Sequence, residues 1–76
     1  MISIFKTNVA SSKEAEIISP YLNKLLERLN WTIDLSDCDR ILRVDSPDDK
    51  NDEVIRVLNH NGFLCIELAT FYAAPV

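Results

Sequence analysis

Histidine occurs once in this chain, glycine once, and cysteine twice, at Cys38 and Cys65 with no C-x-x-C pairing. A single histidine leaves little scope for a Ser-His-Asp or Cys-His constellation, and no spacing suggests one, so the chain reads as a non-enzyme. Two cysteines far apart are expected to be small apolar fillers in a reducing compartment rather than a disulfide. One glycine and three prolines, beside 47% hydrophobic and 26% charged residues, exclude a disordered tail and imply an ordered globular chain. Basic residues are also in deficit. Eight against twelve acidic side chains leave a formal net charge of -4, which repels phosphate backbones and argues against nucleic acid as a partner. No apolar stretch approaches the ~20 residues that span a bilayer, and no charged start precedes an apolar run of signal-peptide length. The expectation is a cytoplasmic protein with no membrane partner.

What is present suffices for one core. A chain of 76 residues buries only ~60% of its unfolded surface and has nothing left for a second domain. Ile2-Ser3-Ile4-Phe5-Lys6-Thr7 is β-branched and aromatic, with Ile2 and Ile4 on one face and Ser3, Phe5 and Thr7 on the other, as expected of an inner strand. Ser11 followed three residues later by Glu14 matches a capping box, so a helix should begin near Ser12. Ile18, Leu22, Leu25 and Leu29, flanked by Ala15, Tyr21 and Leu26, supply its apolar stripe. Pro20 allows two readings: one helix kinked in its second turn, which is preferred, or a helix restarting with Ser19 as cap and Pro20 at its first position.

Trp31-Thr32-Ile33-Asp34-Leu35 and Arg40-Ile41-Leu42-Arg43-Val44 alternate in polarity around Ser36-Asp37-Cys38-Asp39, which reads as a hairpin. The acidic run Asp45 to Glu53 lacks the ligand spacing and central glycine of a calcium loop and instead suits a helix N-terminus. Val54, Val57, Leu58 and Asn61 mark that second helix, Gly62 is its left-handed cap, and Phe63 to Leu68 is the last strand. The order strand, helix, strand, strand, helix, strand predicts an α+β ferredoxin-like βαββαβ fold over residues 1–68: a four-stranded antiparallel sheet with two helices on one face. Residues 69–76 are left as an apolar tail.

In this organisation the chain resembles the heavy-metal-associated domain family. The resemblance is carried by Ile4-Phe5-Lys6-Thr7-Asn8-Val9, by the hairpin from Trp31 to Val44, and by Leu58-Asn59-His60-Asn61-Gly62-Phe63 leading into Cys65. In that family a C-x-x-C pair in the first loop binds a soft ion such as Cu(I). Here Asn8 or Val9 and Ser11 or Ser12 stand in those places, so the resemblance implies the fold with a degenerate metal motif, and no cofactor is expected.

Two uses of such a domain remain open. The sheet face away from the helices is the first: with Trp31, Ile33, Leu35, Leu42 and Val44 turned to the helices, Phe5, Ile41, Leu64 and Ile66 are expected on the open side, beside Thr32, Asp34 and Arg43. That patch would meet a protein partner or a second copy, or be covered by the tail around Phe71 and Tyr72. The second is a ligand loop of Thr7, Asn8, Val9, Ser11 and Ser12 with Phe63, binding a metal or small molecule without thiolates. His60 and Cys65 are the only other soft ligands near it, and both have structural readings, at a helix end and in the core. RNA-binding domains share the topology, but a single aromatic on that face and an acidic balance speak against them.

Overall fold

The ladder that holds the protein together is centred on its first strand. In a computed structural model, which describes residues 1–26 and 31–72, β1 (Ile2–Thr7) lies between β3 (Leu42–Asp45) and β4 (Cys65–Phe71), and β2 (Trp31–Ile33) adds beyond β3. The sheet order is β2-β3-β1-β4 and all three pairings are antiparallel. With α1 (Ser12–Leu26) between β1 and β2, and α2 (Asn51–His60) between β3 and β4, the element order is βαββαβ. This is the ferredoxin-like α+β arrangement predicted above.

Each helix starts and stops for local reasons. At the start of α1, the Ser11 hydroxyl accepts the Glu14 N–H at 3.2 Å and the Glu14 carboxylate reaches back to the Ala10 N–H at 2.7 Å. The first bond uses a donor that a helix start leaves unpaired, and the second holds the residue just ahead of the cap. The helix then runs through Pro20 without restarting. Proline removes the N–H that would meet the Glu16 carbonyl, and the loss is tolerated because Glu16 and Pro20 both lie on the exposed side. Ile18 and Leu22 are fully buried, with Ala15, Leu25 and Leu26 packed against them. Tyr21, expected beside this stripe, is exposed together with Ile17; Leu29 lies outside the described residues.

In the run ahead of α2, the Asp49 carboxylate accepts the Asn51 N–H at 3.1 Å and the Ser46 hydroxyl accepts the Asp48 N–H at 3.3 Å, while Asp52 and Glu53 occupy the first turn. The helix ends in a Schellman motif: the Gly62 N–H bonds the Asn59 carbonyl at 3.0 Å and the Phe63 N–H bonds the Leu58 carbonyl at 2.8 Å. Gly62 has φ 89°, the left-handed value that the motif requires and that any side chain would strain.

The core lies between the sheet and the helices. Phe5, Val9, Ile18, Leu22, Leu42, Val44, Val54, Leu58 and Cys65 form it, and Trp31, Ile33, Leu35 and Phe63 are half-buried against it. The Trp31 indole N–H donates to the Asn23 carbonyl oxygen at 2.8 Å, which ties β2 to α1.

Two boundaries differ from expectation. The strands of the hairpin are shorter, and the last strand starts at Cys65 and continues to Phe71, so Ala69, Thr70 and Phe71 belong to the sheet rather than to a tail. Their partner is the other end of the chain, with Ile2 opposite Phe71 and Ser3 opposite Thr70. Ile4 faces Ala69 while Phe5 faces Glu67, so Leu68 is the extra residue of a β-bulge. Residues 73–76 lie outside the described part. No described helix is long and apolar enough to cross a membrane.

Candidate functional site

The loop between β1 and α1 is closed upon itself. Thr7 and Val9 are buried, and Asn8, Ser11 and Ser12 are exposed. The Thr7 hydroxyl donates to the Arg40 carbonyl at 2.6 Å and accepts the Val9 N–H at 3.3 Å, while the Thr7 N–H meets the Asp39 carbonyl at 3.1 Å. The Asn8 side-chain oxygen accepts the Leu64 N–H at 2.7 Å. The loop is thereby joined to the hairpin turn on one side and to the entry of β4 on the other. Ser11 and Glu14 cap the helix, so a carboxylate of the protein already occupies the position where a helix N-terminus would attract an anion. Val9 points into the core, and Phe63 closes the core's end. Of the loop candidates, Thr7 and Val9 are joined by a hydrogen bond, Asn8 is tied instead to Leu64, and Ser11 serves the helix.

The soft ligands are dispersed. His60 is exposed in the last turn of α2, and Cys38 is exposed in the hairpin turn between Asp37 and Asp39, with the three ligand atoms within 4.8 Å of one another. The Asp37 carboxylate there accepts the Asp39 N–H at 2.8 Å, and Asp39 pairs with Lys6 at 3.5 Å. Cys65, opposite Thr7 in the ladder, is only 6% exposed, and burial pushes its thiol up to about 12. At neutral pH it is protonated, the form that does not bind soft metals.

A pH dependence follows with a fixed sign. The folded protein keeps the Cys65 proton in a range where the unfolded chain, with an ordinary thiol at about 8.5, has released it. Stability is therefore unaffected by this group below about pH 8.5 and falls from there toward about 12. Urea denaturation of the protein and of Cys65→Ala, compared at neutral pH and at pH about 10, should show a steeper alkaline loss in the unsubstituted chain. Parallel losses would contradict the assignment.

The open sheet face is the other candidate. Residues paired across a ladder share a face, so the partners Phe5 and Leu42, Ser3 and Val44, and Thr7 and Cys65 all turn toward the helices. Phe5 is 0% exposed. Its expected place on the open side is thus corrected: strand alternation assigns two sets of residues within β1 but cannot say which set meets the helices, and the pairing with Leu42 decides it. The open side carries Ile2, Ile4 and Lys6 from β1, Thr32 from β2, Arg43 and Asp45 from β3, and Ile66, Ala69 and Phe71 from β4. Ile66 is where it was expected. Leu64 precedes β4 and is exposed; Ile41, one residue ahead of β3, is half-buried.

The apolar part of this face is concentrated along β4. Leu64 is 46% exposed, Ile66 46%, Leu68 52% and Phe71 59%. Sequence reasoning placed Leu64 and Ile66 in the patch and left Phe71 and Tyr72 in an apolar tail, which was one of three possible covers for it. The signal available was the apolar chain end itself, whose role depends on pairing with Ile2, the far end of the chain. β4 is also an edge strand of seven residues, interrupted by the bulge at Leu68, whereas the opposite edge, β2, has three.

Among the described residues, one concavity lies over the outer side of α2 at Asp52, Ile55, Arg56, Asn59 and His60, and another of about 90 Å³ lies between the end of α1 and Ser46, Pro47, Asp48 and Lys50. A scan of family models, a search of curated proteins and a search of solved structures each return no match for this chain.

Proposed function

We propose that this chain is a protein-interaction or regulatory module of heavy-metal-associated-like organisation, which acts through the open face of its sheet and whose first loop holds no metal. The observation that carries the reading is the group of large apolar side chains at Leu64, Ile66, Leu68 and Phe71, each roughly half exposed. Apolar patches of this extent are seldom left bare on a monomer. The first loop supports the same reading from the other side: the Thr7 and Ser11 hydroxyls, the Asn8 side-chain oxygen and the Glu14 carboxylate are engaged within the protein, and Cys65, opposite Thr7 in the ladder, is buried and protonated. The reading assigns no catalytic role and no nucleic-acid or membrane partner, and places the protein in the cytoplasm.

The test is an NMR experiment on the full chain under reducing conditions, at a dilution where sedimentation reports a monomer. A soluble paramagnetic relaxation agent should broaden the side-chain signals of Ile66, Leu68 and Phe71 strongly and leave Phe5 and Leu42 sharp. Shielding of the first group in the monomer would mean that the chain covers its own face, and the reading would fail. Adding Cu(I) and then Zn²⁺ should produce no saturable amide shifts at Thr7 to Ser12, Phe63 or Cys65. Saturable shifts there would return the function to the loop.

A further inference from the structure

We infer that the occupant of the open face is a second copy of this chain, packed face against face over β4 and β1. The inference rests on the interaction reading and names its partner. Area is the first argument. Taking about 200 Å² for a fully exposed large side chain, the exposed fractions of Leu64, Ile66, Leu68 and Phe71 with that of Lys6, which stands opposite Ile66, amount to roughly 500 Å² per chain. Two copies would remove about 1,000 Å² from water, to which the half-buried Ile2 and Ile4 of the same face add, so the contact reaches the ~1,000 Å² that separates specific interfaces from incidental contacts.

Charge is the second argument. The chain carries a net charge of -4, and two copies approaching at random repel. The acidic surplus is not on this face. Glu14, Glu16, Asp52 and Glu53 lie on the helices, and Glu67 turns to the helix side, where its carboxylate accepts a hydrogen bond from Asn51. On the open side, Lys6 and Arg43 stand against Asp45, with Asp39 already paired to Lys6 and Asp34 at the far margin holding the Ser36 N–H. The face is therefore near balance, with both signs across β3 and β1, where Lys6 stands opposite Ile66, and no carboxylate among the exposed apolar side chains along β4. A two-fold contact places one patch on its own image, so a patch that is apolar on one side and of mixed sign on the other is complementary to itself.

The contact is by face rather than by edge. Joining β4 to β4 would extend the sheet and leave the apolar side chains of both copies in water, and the bulge at Leu68 interrupts the row of backbone groups that such a junction needs.

Sedimentation velocity of the full chain from micromolar to millimolar concentration tests this. The expected result is a reversible monomer–dimer equilibrium that Ile66→Asp weakens about thirtyfold or more, with an unchanged far-ultraviolet circular dichroism spectrum. Phe71→Ser, at the other end of the patch, should weaken it as well, and Glu16→Lys, on the outer side of α1, should leave it intact. A monomer at every concentration overturns the proposal, as does a dimer indifferent to both Ile66→Asp and Phe71→Ser. The relaxation experiment above then separates the two failures: a monomer with Ile66 and Phe71 open to the agent removes the second copy but keeps an interaction face, whereas a monomer with both shielded removes the interaction face too.

Discussion

Replacing Phe5 by alanine is expected to cost about 3–5 kcal/mol of folding stability, whereas Phe71→Ala, measured at monomer concentration, should stay within about 0.5 kcal/mol of the unsubstituted chain. The two residues are of the same type and both lie in the β1–β4 half of the sheet. Phe5 is fully buried between the sheet and the helices and faces Leu42 across the ladder; Phe71 is 59% exposed on the opposite side. Removing a ring from the closed side leaves a cavity that Ile18, Leu22 and Leu58, held in two helices, cannot collapse to fill. In a domain of this size each kcal/mol moves the melting temperature by about 4–8 °C, so Phe5→Ala should melt tens of degrees lower and be largely unfolded at body temperature. Thermal and urea denaturation decide the matter. Equal effects at the two positions would show that the register pairing Phe5 with Leu42 is wrong, and the open face with it.

The second large effect is at Asn51. Its side chain is 6% exposed at the start of α2, and its amide nitrogen donates to the Glu67 carboxylate at 3.2 Å and to the Thr70 hydroxyl at 3.1 Å, which join it to both sides of the β4 bulge. Thr70 donates in turn to Glu67 at 2.9 Å, and its hydroxyl lies 3.4 Å from that of Ser3 on β1. This small polar network fastens α2 to the end of the sheet. Asn51→Asp keeps the shape and exchanges two N–H donors for an acceptor, so a carboxylate is left facing the Glu67 carboxylate. The expected loss is about 1–3 kcal/mol at pH 7.

Its pH dependence identifies the cause. Like charges raise the folded-state pKa of the introduced pair above the unfolded carboxyl range, so the penalty is present above about pH 4 and disappears as the pH falls below it. Urea titrations of the variant and the parent across that range should converge at acid pH. A loss of the same size at every pH would mean that the carboxylates do not meet.

How much of this was legible from the residues depends on the distance over which each feature is decided. The start of α1 rests on Ser11 and Glu14, three residues apart, and the end of α2 on Gly62 and its immediate neighbours. Such signals are complete within one turn of chain. The phase of the hairpin was equally readable, because Leu42 and Val44 alternate with Arg43 and Asp45. The end of β4 was not. Ala69 and Thr70 carry no strand pattern of their own, and they are held there by Ile4 and Ser3 through a bulge that no local motif announces. The candidate loop behaved similarly: its composition was visible, but the partners that close it, Arg40, Asp39 and Leu64, come from parts of the chain more than thirty residues away.

The sequence by itself determined the order of six elements, the caps that bound the helices and the absence of a thiolate pair from the first loop, because each of these is a property of neighbouring residues. Tertiary structure alone decided which side of β1 meets the helices. It therefore decided that Phe5 is core, that Ile66 and Phe71 share an open face, and that the chain end completes the sheet. The physical reason is that the side chains of a strand alternate with a period of two: both faces of β1 carry apolar residues, Ile2 and Ile4 on one and Phe5 on the other, and only pairing with Leu42 and Glu67 breaks the tie.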